Sequence, residues 1–465
     1  MSVPFSPFLT LIFLQKSLCL YLIFVHFYDI VNIMNIMKRN IDNSLIKWKE
    51  SKQRKVLLLR GARQVGKTFS CRILGKSFRY FLEINFEEDR AVRKIFEESL
   101  NPFYLSEKLS AYFSVPIVPG QTLLFFDEIQ ACPDALSSLR FFYEKMPDLH
   151  VVATGSLLEI ALSKIPSYGV GRIQSIFMYP MSFEEYLDAL GENALIDMKN
   201  SKNVGLVFHD KIIGYLKTFH LIGGLPEIVG EYVNTKNILG CQQKLGDLLE
   251  SFRDDFAKYK KRVDVQILDE VFKSIAMQAG HKFKYSNVDS AHNHRTLKQA
   301  LDLLAQAGLA YKVYHTSGHG VPLGAEIKSN KFKVVLFDTG IHFRMLGLSN
   351  ADILVADDVD MVNKGGIAEV FVANEFVKSM DNRVRGQLFY WHNEEKGTSA
   401  EVDYLIQRNS EIIPIEVKSG KTGKMKSMEV FLKQHSSKYG IRLSLENFSK
   451  YKNILVIPLY SANVI

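Results

Sequence analysis

The stretch GARQVGKT, Gly61 to Thr68, follows the apolar run KVLLL and matches G-x-x-x-x-G-K-[ST] at every fixed position. Glycines at both ends of such a loop let the backbone turn its N–H groups inward around an anion. The Lys67 ammonium then reaches the β- and γ-phosphates, and the Thr68 hydroxyl offers an oxygen ligand to Mg²⁺. The flanks are what this motif requires, a β-run over Val56 to Leu59 and a helix-compatible run from Phe69 to Leu74. Gly61, Ala62, Arg63, Gln64, Val65, Gly66, Lys67, Thr68 and Phe69 are therefore the expected nucleotide-cradling residues.

A phosphate cradle needs a second element to hold the metal and orient the attacking water. TLLFFDEIQ has the pattern of a buried parallel strand, with its acids at the carboxyl end where ligands bind in open α/β sheets. Asp127 is the expected metal-side acid, and Glu128 the expected base or water-orienting group. A third run, HVVATGS, ends in Thr154 and Ser156, either of which could point a hydroxyl at the γ-phosphate. Ser156 also reads as a helix N-cap before Leu157. In YFLEINFEE, Asn85 is positioned to restrain Glu128.

These pieces together resemble the AAA-type ATPases, specifically the large bacterial and archaeal group whose C-terminal half is a domain of uncharacterised function. The likeness runs through LLLRGARQVGKT, INFEE, LLFFDEIQ, ATGS and GRI…MYPMSFEEYL to the end of the chain, covering nearly everything after Met37. It implies an α/β fold with a parallel-sheet ATPase domain, ATP and Mg²⁺ as cofactors, and an arginine that completes phosphate sensing. Arg172, in the Gly171-Arg172 pair, is one place to look for that arginine, and Arg63 inside the loop is another. The expected catalytic set is thus Lys67, Glu128, Arg172 and Ser156. No N-K-x-D guanine-reading string is present, which favours ATP over GTP.

At 465 residues the chain has room for three or four domains. With 47% hydrophobic and 23% charged residues, its body is ordinary globular material and not a disordered tail. The net charge of +8 and pI near 9.0 permit a phosphate-rich partner without requiring one. Cys19, Cys71, Cys132 and Cys241 lie far apart with no C-x-x-C pair, against structural zinc and a disulfide framework. Residues 1–36 are apolar and aromatic, but Lys16 and Asp29 divide them into uncharged runs shorter than the ~20 residues a spanning helix needs. The expectation is a misassigned start, with translation beginning near Met34 or Met37, and a cytoplasmic protein without membrane association.

After MSFEEYL the pattern becomes helical, with a Gly-Gly-Leu-Pro turn at Gly223 to Pro226 and the charged amphipathic run LLESFRDDFAKYKKR. This reads as a helical lid whose charged face is solvated or touches a neighbouring subunit. The spacing of Leu297, Leu301, Leu304 and Leu309, followed by LAYKVY, resembles a winged helix-turn-helix. Its second helix would present Arg295, Lys298 and Gln299 to DNA or serve as a scaffold. His281, His292 and His294 read as lacking companion acids.

The last hundred residues hold a second possible chemistry. Glu369 sits at a helix start, Asp403 on the strand SAEVDYLIQ, and Glu416 and Lys418 on one face of PIEVKSG. Carboxylates holding Mg²⁺ beside a lysine are the parts of a metal-dependent phosphodiesterase. The pattern resembles the restriction-endonuclease-like fold, with Glu369, Asp403 and Glu416 as metal ligands beside Lys418.

The expected organisation is a leader over 1–36, an ATPase domain over 37–185, a helical lid over 186–262, a winged-helix-like segment over 263–350 and a nuclease-like domain over 351–465. The leading expectation is an Mg²⁺-dependent ATPase coupled to a DNA-binding or nuclease-like C-terminal region. The alternative is a nucleotide-regulated signalling or assembly switch with an inactive nuclease-like module. Expected partners are ATP, DNA, and a protein partner or a second copy of the chain.

Overall fold

Five parallel strands build the nucleotide-side sheet, in the order β2-β3-β4-β1-β5. They are β1 (Val56–Arg60), β2 (Tyr80–Asn85), β3 (Thr122–Asp127), β4 (His150–Thr154) and β5 (Ile173–Phe177). β1, β3 and β4 are almost wholly buried, as expected of strands covered on both faces. Helix α1 (Asn40–Glu50) precedes β1, α2 (Lys67–Gly75) leaves the glycine-rich loop, and α3 (Pro133–Lys145) follows β3. Phe142 and Leu139 of α3 pack with Leu58, Phe126 and Val151 in one apolar cluster. Because β4 is inserted between β1 and β3, its carboxyl end lies between the loop and Asp127.

The computed structural model describes residues 37–155, 171–259, 262–289, 292–347, 364–393, 400–420, 425–435 and 437–465. The leader expected over 1–36 and the sensor candidate Ser156 lie outside the described residues. No helix among the described residues is long and apolar enough to cross a membrane.

From Phe183 the chain is helical, ending in α4 (Ile238–Asp255) and a single 3-10 turn over Phe256–Tyr259. α5 (Val265–Met277) and α6 (His294–Gln306) follow, and then the hairpin of β6 (Ala310–Thr316) and β7 (Ile327–Leu336). α6 buries Leu297, Ala300, Leu301 and Leu304 along one stripe, matching the spacing read from sequence.

This hairpin belongs to a larger mixed sheet of eight strands, ordered β12-β13-β11-β10-β9-β8-β6-β7. The other strands are β8 (Leu388–His392), β9 (Glu401–Arg408), β10 (Glu411–Val417), β11 (Gly440–Ser444), β12 (Ser449–Tyr451) and β13 (Ile454–Pro458). Helix α7 (Lys364–Ser379) contacts β7, β8 and β10 of this sheet. β6 pairs in parallel with β8, Val313 opposite Leu388, so the sheet runs straight through the boundary expected at residue 350. Parallel pairing over such a distance leaves no local turn signal in the sequence.

Candidate functional site

The glycine-rich loop leaves β1 at Arg60 and is shaped by two close approaches. A Cβ on Gly61 would lie 2.1 Å from the Met178 carbonyl oxygen, so only glycine fits there. Gly66 adopts φ +95 at the start of α2, a left-handed turn that aims the first free N–H groups of the helix into the loop. Lys67 Nζ donates to the carbonyls of Gly61 at 3.1 Å and Ala62 at 2.7 Å. Burial lowers the Lys67 pKa to about 8, against the opposing pull of Glu128 and Asp127.

Asp127 is the hub of the site. It is buried at the end of β3 and accepts from the Thr68 hydroxyl at 2.9 Å, the Glu128 N–H at 3.0 Å and the Thr154 hydroxyl. The carboxylate is thereby locked in orientation between loop and strand. Thr154, one of the two hydroxyl residues read from HVVATGS, thus meets Asp127. Glu128 takes a left-handed φ of +48, rare for a residue with a side chain and a frequent mark of functional positions. Its carboxylate accepts from Gln130 Nε2. Asn85 lies opposite Asp127 in the sheet, but its side-chain oxygen accepts from the N–H groups of Glu87 and Glu88. Gln130, two residues after Glu128, is thus a side chain that holds this carboxylate.

Arg172 lies elsewhere. It precedes β5, whose first residue Ile173 stands opposite Val56, whereas the loop begins past Arg60 opposite Phe177. A five-residue strand, roughly 15 Å at about 3.3 Å per residue, separates them, and the Arg172 side chain pairs with Glu144. Parallel pairing puts the start of β5 at the end of the sheet remote from the glycine-rich loop, a consequence of strand direction that the Gly-Arg string does not reveal.

Arg63 is held beside the loop. Its guanidinium is ion-paired with Asp255 at the end of α4, and Lys258 of the following turn is 3.5 Å from both Asp255 and Glu87. Asp255 therefore faces the loop of its own chain, whereas Asp254 beside it is exposed. Gly308, two residues past α6, also meets the loop: a Cβ built there would be 3.2 Å from the Ala62 nitrogen. The end of α4 and the turn after α6 thus both touch the glycine-rich loop.

Arg39 is a contact that sequence reading missed. Buried at the start of α1, it donates to the Val65 carbonyl at 2.9 Å, the Tyr179 carbonyl at 2.7 Å and Glu185 Oε1 at 3.0 Å. Glu185 is itself fixed in a capping box with Ser182, within the MSFEEYL segment. The available signal was a lone arginine at a helix start, too common to single out.

At the C-terminal site, Glu369, Asp403, Glu416 and Lys418 are joined by two residues not foreseen, Lys333 of β7 and Glu401 of β9. Lys333 Nζ lies 2.7 Å from Glu401, 3.1 Å from Glu369 and 3.7 Å from Asp403. Lys418 is 2.7 Å from Glu416, and Asp403 accepts from the Val417 N–H at 2.8 Å. Burial opposes the Lys333 charge, yet Glu369, Asp403 and Glu401 together push its pKa well above the ordinary lysine value. Burial raises the Glu369 and Glu416 carboxyls, with Lys333 and Lys418 respectively pulling the other way. Elsewhere, His292 Nε2 meets Glu270 at 2.9 Å and Asp289 at 3.8 Å, so this histidine does have companion acids.

Residues 53–187 match a family described as an AAA domain. Residues 213–352 match a domain of unknown function (DUF8612), and residues 364–462 another (DUF4143). No curated protein matches the chain. Among solved structures, a Walker-type ATPase of Pyrococcus abyssi is similar at 15% identity, over 67% of this chain and 96% of that one, with a TM-score of 0.44. The ORC1 protein of Aeropyrum pernix in complex with DNA is similar at 14% identity, over 67% and 93%, with a TM-score of 0.27. PCH-2 of C. elegans is similar at 10% identity, over 58% and 65%, with a TM-score of 0.22. The family match and the loop geometry support an AAA-type ATPase domain over residues 53–187.

Proposed function

We propose that this protein binds ATP at the loop Gly61 to Thr68, hydrolyses it in an Mg²⁺-dependent reaction, and transmits the cycle to α4 and α6. The observation that carries this reading is the hydrogen-bonded set of Thr68, Asp127 and Thr154 beside Lys67. A hydroxyl and a carboxylate joined at 2.9 Å form the hard oxygen donor set that suits Mg²⁺, so Thr68 and Asp127 would hold the metal. When bound, the ion offsets the charge that builds on the phosphate oxygens.

The chain's own residues supply the rest. Lys67 and the N–H groups at the start of α2 bind and orient the phosphates. Glu128, adjacent to Asp127 and held by Gln130, orients the attacking water and takes its proton. Arg63 is the arginine best placed to sense the γ-phosphate from within the same chain, because it belongs to the loop. Leaving Asp255 for phosphate would release the end of α4.

The deciding experiment is ATP turnover and nucleotide binding by the purified protein, beside Lys67→Ala and Glu128→Gln. Loss of binding in the first and retained binding without turnover in the second is the expected pair of results. Full turnover in Glu128→Gln removes that residue from the role.

A second reading adds DNA as partner. It is favoured by one observation, a groove of about 370 Å³ lined by Arg262, Arg295, Lys298, Gln299, Asp302 and Gln306, on the same α6 whose far end reaches the loop. Duplex-stimulated ATP turnover, lost in Arg295→Ala/Lys298→Ala, is its test. Without stimulation, the nucleotide-regulated switch acting on a protein partner is the better description.

A further inference from the structure

A nuclease-like arrangement of Glu369, Asp403, Glu416 and Lys418 implies a divalent metal among the carboxylates. The residues present do not fit one. The space faced by Glu369, Glu401 and Asp403 is filled by the side chain of Lys333, which is 1% exposed and lies over the Tyr390 ring at 5.5 Å. An ammonium has three N–H donors, and here three carboxylates face it at 2.7, 3.1 and 3.7 Å. A divalent ion would need those same oxygens turned toward itself at about 2.0–2.6 Å, beside a like charge that is 1% exposed and little screened by solvent. Among the described residues, the one trio of acidic or imidazole ligands whose atoms lie within 4.8 Å of one another is Glu270, Asp289 and His292, outside this cluster.

We infer that the Lys333 ammonium is the resident cation of the C-terminal carboxylate cluster, in place of a divalent metal, and that it makes this cluster a closed electrostatic keystone. The keystone joins three elements. Lys333 comes from β7, Glu369 from α7 at a separation of 36 residues, and Glu401 and Asp403 from β9. It therefore pins β7, at the edge of the eight-stranded sheet, to α7 and to β9 of the same sheet.

A second observation defines what the lysine keeps closed. Glu416 is 7% exposed; one of its oxygens takes Lys418 at 2.7 Å, while the other is buried with no hydrogen-bond partner. That oxygen is spare acceptor capacity beside Asp403. With the Lys333 charge removed, Glu369 and Asp403 lose their nearest cation, Lys282 remaining 3.9 Å from Glu401 and Lys418 2.7 Å from Glu416, and the cluster would recruit a cation from solution. The inference is independent of ATP hydrolysis at Lys67, so either can fail alone.

The test is a nucleotide-free titration of the full chain with Mn²⁺, reading free ion by electron paramagnetic resonance. Wild type, Glu416→Gln, Lys333→Met and Lys333→Met/Glu416→Gln are compared. The expected result is equal Mn²⁺ binding by wild type and Glu416→Gln, one additional site at least tenfold tighter in Lys333→Met, and loss of that site in the double variant. Mn²⁺ should also raise the melting temperature of Lys333→Met more than that of wild type. A wild-type Mn²⁺ site that Glu416→Gln removes overturns the inference, as does a folded Lys333→Met that gains no site. If Lys333→Met does not fold, the comparison of wild type with Glu416→Gln decides alone.

Discussion

Arg63, the third residue of the phosphate loop, is ion-paired with Asp255, the last residue of the helix Ile238–Asp255. Loop and helix are thereby connected by a charge that ATP can compete for. The partners are only part-buried, with side-chain exposures of 33% and 16%, so exchange for a phosphate costs little desolvation. Asp255→Asn should free Arg63 and lower the KM for ATP by about three- to tenfold, roughly 0.7–1.4 kcal/mol, the net range of one ordinary hydrogen bond at a part-exposed site. Arg63→Ala should raise KM and abolish the effect of the Asp255 change. Steady-state kinetics on the single and double variants measure the coupling directly. An Asp255→Asn protein that melts earlier but keeps its KM would make the pair structural only.

Lys67 provides a pH test. Its pKa is lowered to about 8 from an ordinary lysine value, chiefly by burial, so the free protein loses this charge as pH rises through about 8. A bound triphosphate favours the ammonium, which means binding above that pH takes up a proton. ATP affinity should therefore be flat below about pH 7.5 and fall by up to about tenfold per pH unit between roughly 8 and 10. Stability runs the opposite way: burial penalises the charged form, and that penalty is relieved as the folded-state group deprotonates. Isothermal titration in buffers of different ionisation enthalpy reads the proton uptake, and its absence at pH 9 would contradict a buried, charged Lys67.

Much of this nucleotide site is contiguous in the chain, and that is why it was legible. GARQVGKT carries its own turn, helix start and ligands, and the acids of LLFFDE are placed by strand direction alone. What sequence reading missed comes from partners far away in the chain. Arg39 reaches Val65 and Glu185, the latter 146 residues on, and nothing around either residue marks the pairing. Lys333 looks like one more charge on a hairpin strand until β6 pairs with β8 and brings it over Glu369 and Glu401. Arg172 illustrates the reverse case. Its Gly-Arg string suggested phosphate sensing, but its place depends on which end of β5 lies beside the loop.

Arg39 and Glu185 form a buried ion pair, with side-chain exposures of 7% and 8%. Removing one member leaves a buried charge without its partner, a loss of about 3–5 kcal/mol. Arg39→Met should destabilise the protein by that amount in urea unfolding and weaken ATP binding, because the Val65 carbonyl in the loop loses its donor. Equal stability of wild type and Arg39→Met would show that the pair contributes nothing net.

Gly308 tests the second contact on the loop. Its φ of +78 is a left-handed conformation, and a Cβ would stand 3.2 Å from the Ala62 nitrogen. Gly308→Ala should cost about 1–2 kcal/mol through backbone strain. Because the new methyl group presses on the loop itself, KM for ATP should rise alongside. A stability loss with unchanged KM would confine the effect to the turn after α6.

Thr154 separates orientation of Asp127 from binding of phosphate. Its hydroxyl, 0% exposed, donates to the Asp127 oxygen that also accepts the Glu128 N–H at 3.0 Å, whereas Thr68 holds the other oxygen at 2.9 Å. Thr154→Val keeps the shape of the side chain and deletes the donor. The carboxylate then turns more freely, and the Mg²⁺ concentration for half-maximal turnover should rise several-fold. kcat should fall by about tenfold, corresponding to about 1.4 kcal/mol, with ATP binding in the absence of metal unchanged. Thr154→Ser restores the hydroxyl and should restore the Mg²⁺ dependence even if it leaves a small cavity. A merely structural role predicts something else: both variants would lower the melting temperature, and neither would shift the Mg²⁺ requirement. Turnover measured across a magnesium series on the three proteins distinguishes the two.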